Sequence, residues 1–121
     1  MNPRAPMTYA SLVGALVVTL LLAMPAAGQS RRALAGLDPE IRDLVDMTMQ
    51  IALETHLSGR GRIWSSPKAG FSGRVTPVRT WRTRSGHFCR AFVEIVRPPS
   101  GSERIGRGRA CRNDAGEWIR T

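Results

Sequence analysis

CRAFVEIVRPPSGSERIGRGRACR, residues 89–112 of the 121-residue chain, begins and ends on a Cys-Arg pair. Phe88 to Val96 puts Cys89, Ala91, Val93 and Ile95 on one side and Phe92 with Val96 on the other, the two-residue period of a strand with apolar groups on both faces. Pro98-Pro99-Ser100-Gly101-Ser102 turns the chain, and Arg104 to Arg112 returns. If Ser100 is the centre, residues pair when their numbers sum to 200, which sets Cys89 against Cys111, Ala91 against Arg109 and Val93 against Arg107. Cysteines directly opposed at a non-hydrogen-bonded site of an antiparallel pair are close enough to bridge. The spacing therefore predicts one disulfide across neighbouring strands. Gly106, Gly108 and Ala110 line the other face of the returning strand, where Phe92 or a helix can come close.

Downstream, Asn113-Asp114-Ala115-Gly116 makes a tight connection into a short strand, Glu117 to Arg120. Upstream, Ser85-Gly86 is a turn, and Gly73 to Thr83 is a strand interrupted by Pro77, which marks an edge or a bulge. Ser65 to Gly73 is a turn-rich connector. Ahead of it, Asp38-Pro39-Glu40 is a helix start: a capping oxygen, a proline at the first helical position and an acid facing the positive end of the dipole. Ile41, Leu44, Val45, Thr48, Ile51 and Ala52 recur at helical spacing, and Gly59 with Gly61 stops the helix near His56 to Ser58. The expected fold is α+β: one amphipathic helix, buried through Ile41, Leu44, Val45, Ile51 and Ala52, on a meander of about four antiparallel strands stapled by one disulfide.

The N-terminus reads differently. Arg4 precedes the apolar run Leu12 to Met24, which breaks at Pro25 before the small residues Ala26, Ala27 and Gly28. This is the pattern of a secretory signal peptide over residues 1–28, cut after Gly28, with an uncleaved N-terminal anchor as the competing reading. The apolar core is shorter than the ~20 residues of a membrane-spanning helix, and Gln29 after the cut offers no cysteine for a lipid. Residues 29–36 are expected to be a flexible lead and residues 37–121 a single domain, too short for two independent cores. Two cysteines allow one intramolecular pairing, favoured by an oxidising compartment. Closing a loop of this length contributes about 3 kcal/mol.

The net charge of +9 is unevenly placed: residues 29–59 hold three basic residues against five acids, residues 60–121 fourteen against four. Such a field favours encounter with lipopolysaccharide or anionic headgroups. Nucleic acid is not expected, because an exported chain does not meet it and no binding motif occurs. The anion-binding candidates are Arg82, Arg90, Arg107, Arg109 and Arg112. Strand alternation puts Arg107 and Arg109 on the face of Cys111 and Arg90 and Arg112 on the other, so one patch requires a bulge or twist. A merely solvated basic surface is the competing reading. Arg90 and Arg112, flanking the staple, form either a paired anion site or ion pairs with Asp114, Glu117 or Glu94.

Nothing in the sequence spells catalysis. His56 and His87 lack partners at metal-ligand spacing, no serine sits in a nucleophile-elbow pattern, and GRGRIW and GRGRAC precede no helix that would make them phosphate loops. No catalytic residue, metal or cofactor is expected. Trp64, Trp81 and Trp118 are expected to serve the core.

Read in order, ALETHLSG, Trp64, AGFSGRVTPVRT (Ala69 to Thr80), GHFCRAF (Gly86 to Phe92), GRACR (Gly108 to Arg112) and DAGEW (Asp114 to Trp118) form a pattern. It resembles the C-terminal domain of bacterial surface antigens of the rickettsial seventeen-kilodalton type, over Leu37 to Thr121. The chain departs from many such proteins in lacking a lipid-accepting cysteine and a Gly-rich segment ahead of the domain. The resemblance implies a non-enzymatic envelope protein and supplies no catalytic residue or defined ligand. The expectation is an exported protein, periplasmic or outer-membrane-associated and not a lipoprotein, with no transmembrane segment in its mature form. Its partners would be anionic envelope components or another envelope protein, and the alternative role is a binding module for such a polyanion through a basic sheet surface.

Overall fold

Asp38-Pro39-Glu40 does begin a helix in the computed structural model, which describes residues 26–121. Helix α2 spans Pro39–Thr55; the Arg42 N–H donates to the Asp38 carbonyl at 2.9 Å, while the Asp38 side chain makes no capping bond among the described residues. The helix ends at His56, whose N–H donates to the Ala52 carbonyl at 2.9 Å. Its buried residues are Ile41, Val45, Thr48, Met49, Ala52 and Leu53. The expected stripe is therefore rotated: Ile41, Val45 and Ala52 are inside, but Leu44 and Ile51 are only half-buried, and Met49 and Leu53 take the interior places. Weighting the apolar moment on Leu44 and Ile51 missed Met49, whose thioether fills the space against the sheet.

Five strands follow, β1 (Arg62–Ser66), β2 (Phe71–Arg82), β3 (Phe88–Arg97), β4 (Arg104–Arg112) and β5 (Trp118–Arg120), in a meander of spatial order β1-β2-β3-β4-β5. The pairing of β3 with β4 follows the sum of 200 from Cys89↔Cys111 to Val96↔Arg104. Cys89 and Cys111 are disulfide-bonded, with Cα atoms 4.0 Å apart. The β2–β3 register shifts between Pro77 and Arg79, leaving Val78 as the extra residue of a bulge. Pro77 also lies past the end of the β1 pairing, so its missing N–H leaves no ladder bond unmade. The strand count exceeds the expected four because β1 is too short to show alternation. Its one inward residue, Trp64, pairs with Gly73 and covers it: a Cβ on Gly73 would lie 2.5 Å from the indole ring.

The expected flexible lead, residues 29–36, is instead largely a helix. Here α1 (Ala26–Ala33) lies mainly on β4, with Ser30 and Ala33 buried and Leu34, in the turn just after it, buried too. It fits because β4 is glycine on that face: a Cβ on Gly106 would lie 2.5 Å from the Gln29 carbonyl oxygen, and one on Gly108 3.2 Å from Ser30 Oγ. This helix rests on tertiary contact and not on its own apolar pattern, so the local sequence does not announce it. The expected signal peptide lies outside the described residues except at its end, where Ala26, Ala27 and Gly28 open α1.

Both helices cover one face of the sheet. α2 touches β1, β2 and β5, strands at opposite edges, so the sheet curls around it. The interior divides into two apolar clusters. One holds Met49, Ala52, Leu53, Val75, Phe92, Ala110 and Trp118, and the other Leu34, Ile41, Val45, Trp64 and Val96. On β3, Phe92 belongs to the first and Val96 to the second; Glu94 stands between them.

Candidate functional site

Arg90 and Arg112 point to the helix-covered face, and each is engaged there. Arg90 is 7% exposed, and its Nη1 donates to the carbonyls of Leu53 and His56, both at 2.7 Å. These are orphan carbonyls of the α2 C-terminus, where a cation is favoured. Burial pushes the Arg90 pKa down from its ordinary value. Arg112 donates from Nε to Glu54 Oε2 at 3.0 Å, and the Trp118 indole N–H donates to the same oxygen at 2.8 Å. These two bonds, Arg112 first, hold the Glu54 carboxyl below its usual pKa.

Arg107 and Arg109 are exposed on the opposite face. Arg82, opposite Phe88, shares the face of Arg90 and Arg112 but stays at the β2–β3 turn, where it donates to the Gly86 carbonyl at 3.2 Å and stacks over Phe88 at 4.8 Å. The five candidate arginines thus do not converge. The bulge that could have merged them sits in β2 at Val78 and leaves the β3–β4 alternation intact. Trp64 and Trp118 are core residues as expected; Trp81 is half-exposed, with the Arg79 guanidinium 4.7 Å from its ring centre.

A constellation absent from the sequence reading lies between the two apolar clusters. Glu94 is 1% exposed and accepts bonds from both terminal nitrogens of Arg120 and from the Ser30 hydroxyl. Arg120 Nη1 also donates to Ser30 Oγ at 2.9 Å, and Nη2 to Asp46 Oδ1 at 3.3 Å. Desolvation lowers the Arg120 pKa, but the bond and charge of Glu94, helped by Asp46, outweigh it, and the net shift is upward. Four elements, α1, α2, β3 and β5, meet at this one ion pair.

At the far end of the sheet, two turns of like construction sit side by side. Thr83-Arg84-Ser85-Gly86 and Asn113-Asp114-Ala115-Gly116 each close with a glycine N–H donating back to the first residue's carbonyl at 3.0 Å, Gly86 at φ 88° and Gly116 at φ 83°. His87 bridges them, Nδ1 within 2.9 Å of Ser85 Oγ and Nε2 within 2.8 Å of Asp114 Oδ1. The signal for this grouping in the sequence is the repeated four-residue turn that sets Asp114 beside His87. The Asp114 side chain is 96% exposed, so water screens the pair. The arrangement clamps two turns together. Among the described residues no group of three or more His, Cys, Asp or Glu is placed to hold a metal.

The family described as 17 kDa outer membrane surface antigen matches residues 51–119, from the last turn of α2 through β5. The chain belongs to this family. The surface-antigen domain is also similar to curated proteins called 17 kDa surface antigen: 39% identical over 84 residues to that of Rickettsia japonica, and 39% over 83 residues to those of Rickettsia conorii and Rickettsia rickettsii. These alignments cover 69% of this chain and 52% of each relative, so the chain spans about half the length of the curated relatives it matches. No solved structure matches. The matched segment includes the Cys89–Cys111 staple, the Arg90 cap and the Glu54–Arg112–Trp118 cluster, all of which serve the architecture of the surface-antigen domain.

Proposed function

We propose that this chain is an exported, non-enzymatic protein of the bacterial envelope that works by contact with other envelope components. Membership of the surface-antigen family carries this reading. The disulfide supports it, since such a bond persists in an oxidising compartment outside the cytoplasm. The polar side chains that could have formed a reactive centre support it too: Arg90, Arg112, Glu94 and Arg120 are committed to helix ends and ion pairs. Among the described residues no helix is long and apolar enough to cross a membrane.

Cell fractionation with thiol labelling tests the proposal. The expected result is a chain cleaved after Gly28, oxidised, and recovered from the periplasm or the outer-membrane fraction. An uncleaved chain with free thiols in the cytoplasm would refute it.

A further inference from the structure

The face of the sheet turned away from the helices has no covering element among the described residues, and its composition is unlike that of an ordinary solvated face. Register fixes its layout. Past the row Ser65–Ser72–Arg97 at one end, four rows cross the sheet: Ile63–Arg74–Ile95–Ile105, then Thr76–Val93–Arg107, then Arg79–Ala91–Arg109, and then Trp81–Cys89–Cys111–Ile119. Down the middle, β3 contributes Cys89, Ala91, Val93 and Ile95, an apolar gutter, and beyond it, in the row Ser65–Ser72–Arg97, an arginine already paired with Glu103. Exposed arginines stand on both banks, Arg74 and Arg79 from β2 and Arg107 and Arg109 from β4. None of the four makes an ion pair among the described residues, and these four rows contain no carboxylate. Toward the periphery, large apolar side chains project into solvent: Ile63 is 67% exposed, Ile105 64% and Ile119 48%. A trough of about 460 Å³ runs along β3 between Arg79 and the Arg107–Arg109 pair.

We infer that this face docks on an anionic lipid surface, with Arg74, Arg79, Arg107 and Arg109 on the phosphates and the peripheral isoleucines reaching the acyl boundary. The cations call for an anionic partner, and unpaired arginines beside exposed isoleucines call for one that also offers hydrocarbon. A second copy of this chain is disfavoured, because two such faces would set arginine against arginine. A folded acidic protein fits less well: protein interfaces concentrate large anchors at their centre, whereas here the centre is Ala91, Val93 and Thr76 and the large side chains lie outside it. This reading gives the proposed envelope role a partner. Vesicle binding is scored independently of where the cell places the chain, so either claim can fail alone.

The test uses the purified full chain, oxidised, with vesicles of phosphatidylcholine alone or with phosphatidylglycerol added. The segment Leu12 to Met24 is common to all variants, so the ratio of binding to the two compositions isolates the charge effect. Each arginine near an anionic surface is worth about fivefold. The variant R74Q/R79Q/R107Q/R109Q should therefore lower that ratio by about a hundredfold or more, and the charge-matched R31Q/R32Q/R60Q/R84Q by about tenfold at most. The variant I63S/I105S/I119S should weaken binding to the anionic vesicles while leaving the salt dependence in place. Equal loss in the two arginine variants would reduce the effect to net charge and overturn the proposal. So would capture of polyglutamate as tight as that of the anionic vesicles and unaffected by the isoleucine changes, which would assign the face to an acidic polypeptide. If the arginine variant does not fold, quenching by lipids brominated on the acyl chain decides with the native chain: of the three tryptophans only Trp81 faces outward, so quenching should occur and vanish in W81F. Quenching that persists in W81F, or none, would overturn the docking geometry.

Discussion

Arg120 brings a positive charge into the interior because Glu94 is already there, and the two depend on each other unequally. Glu94 is 1% exposed and among the described residues has only Arg120 and Ser30 as partners, whereas Arg120 keeps Asp46 as well. Removing the arginine strands a buried carboxylate, so Arg120→Met should cost about 3 to 5 kcal/mol in denaturant unfolding. The double variant E94L/R120M should recover most of that loss, because an apolar pair needs no compensation. Glu54 sets a second dependence. Its folded pKa is depressed by Arg112 and then Trp118, so its stabilisation is present above the ordinary carboxylate range and is lost as pH falls through the folded value. Stability measured against pH should thus fall on the acid side, and Glu54→Gln should flatten that limb. None of these pairings was legible in the sequence. Glu94 and Arg120 are 26 residues apart and Glu54 and Arg112 are 58 apart, and only the curl of the sheet brings them together.

The β3–β4 hairpin was readable to the residue, because a symmetric turn, a cysteine at each arm and strict alternation all fixed the same register. The start of α2 was readable for a similar reason: Pro39 at the first helical position and Glu40 after it are local signals, although the Asp38 side chain makes no capping bond among the described residues. Helix α1 was not, since the room it packs into comes from glycines on β4, far along the chain, Gly106 and Gly108. That dependence can be tested. Gly106→Ala places a methyl 2.5 Å from the Gln29 carbonyl oxygen, so helix or strand must shift. The expected outcome is faster tryptic cleavage at Arg31 and Arg32 while amide protons of β3 stay protected. Unchanged cleavage would mean that α1 is held by something other than its contact with β4. The five candidate arginines mark the opposite limit of sequence reading. Alternation sorted them correctly between faces, but that Arg90 would be consumed by the end of α2 depended on where the helix stops in space.

In the molecule as a whole, the disulfide closes a loop of 22 residues around a hairpin whose register is also set by packing. Replacing both cysteines with alanine should lower stability by about 3 kcal/mol without altering the strand pairing, as read by denaturation and by amide exchange. The strand lengths carry one more consequence. β2, β3 and β4, with 12, 10 and 9 residues, lie inside, while the edges are β1 with 5 and β5 with 3. Two further stretches of edge are open among the described residues. That of β2 beyond the end of β1 carries Pro77 and the Val78 bulge, and the Pro77 carbonyl already accepts the Gly59 N–H at 2.7 Å; that of β4, Arg104 to Gly108 ahead of its pairing with β5, carries Arg104 and Arg107 and has α1 packed on it. Proline, bulge and charge blunt both against another chain. The native fold thereby resists growing into fibrils, and the apolar run Phe88 to Val96, the segment best suited to amyloid pairing, is quarantined at its middle. The hazard moves to the time before folding, when that run is bare, and any chaperone serving this protein should find its grip there.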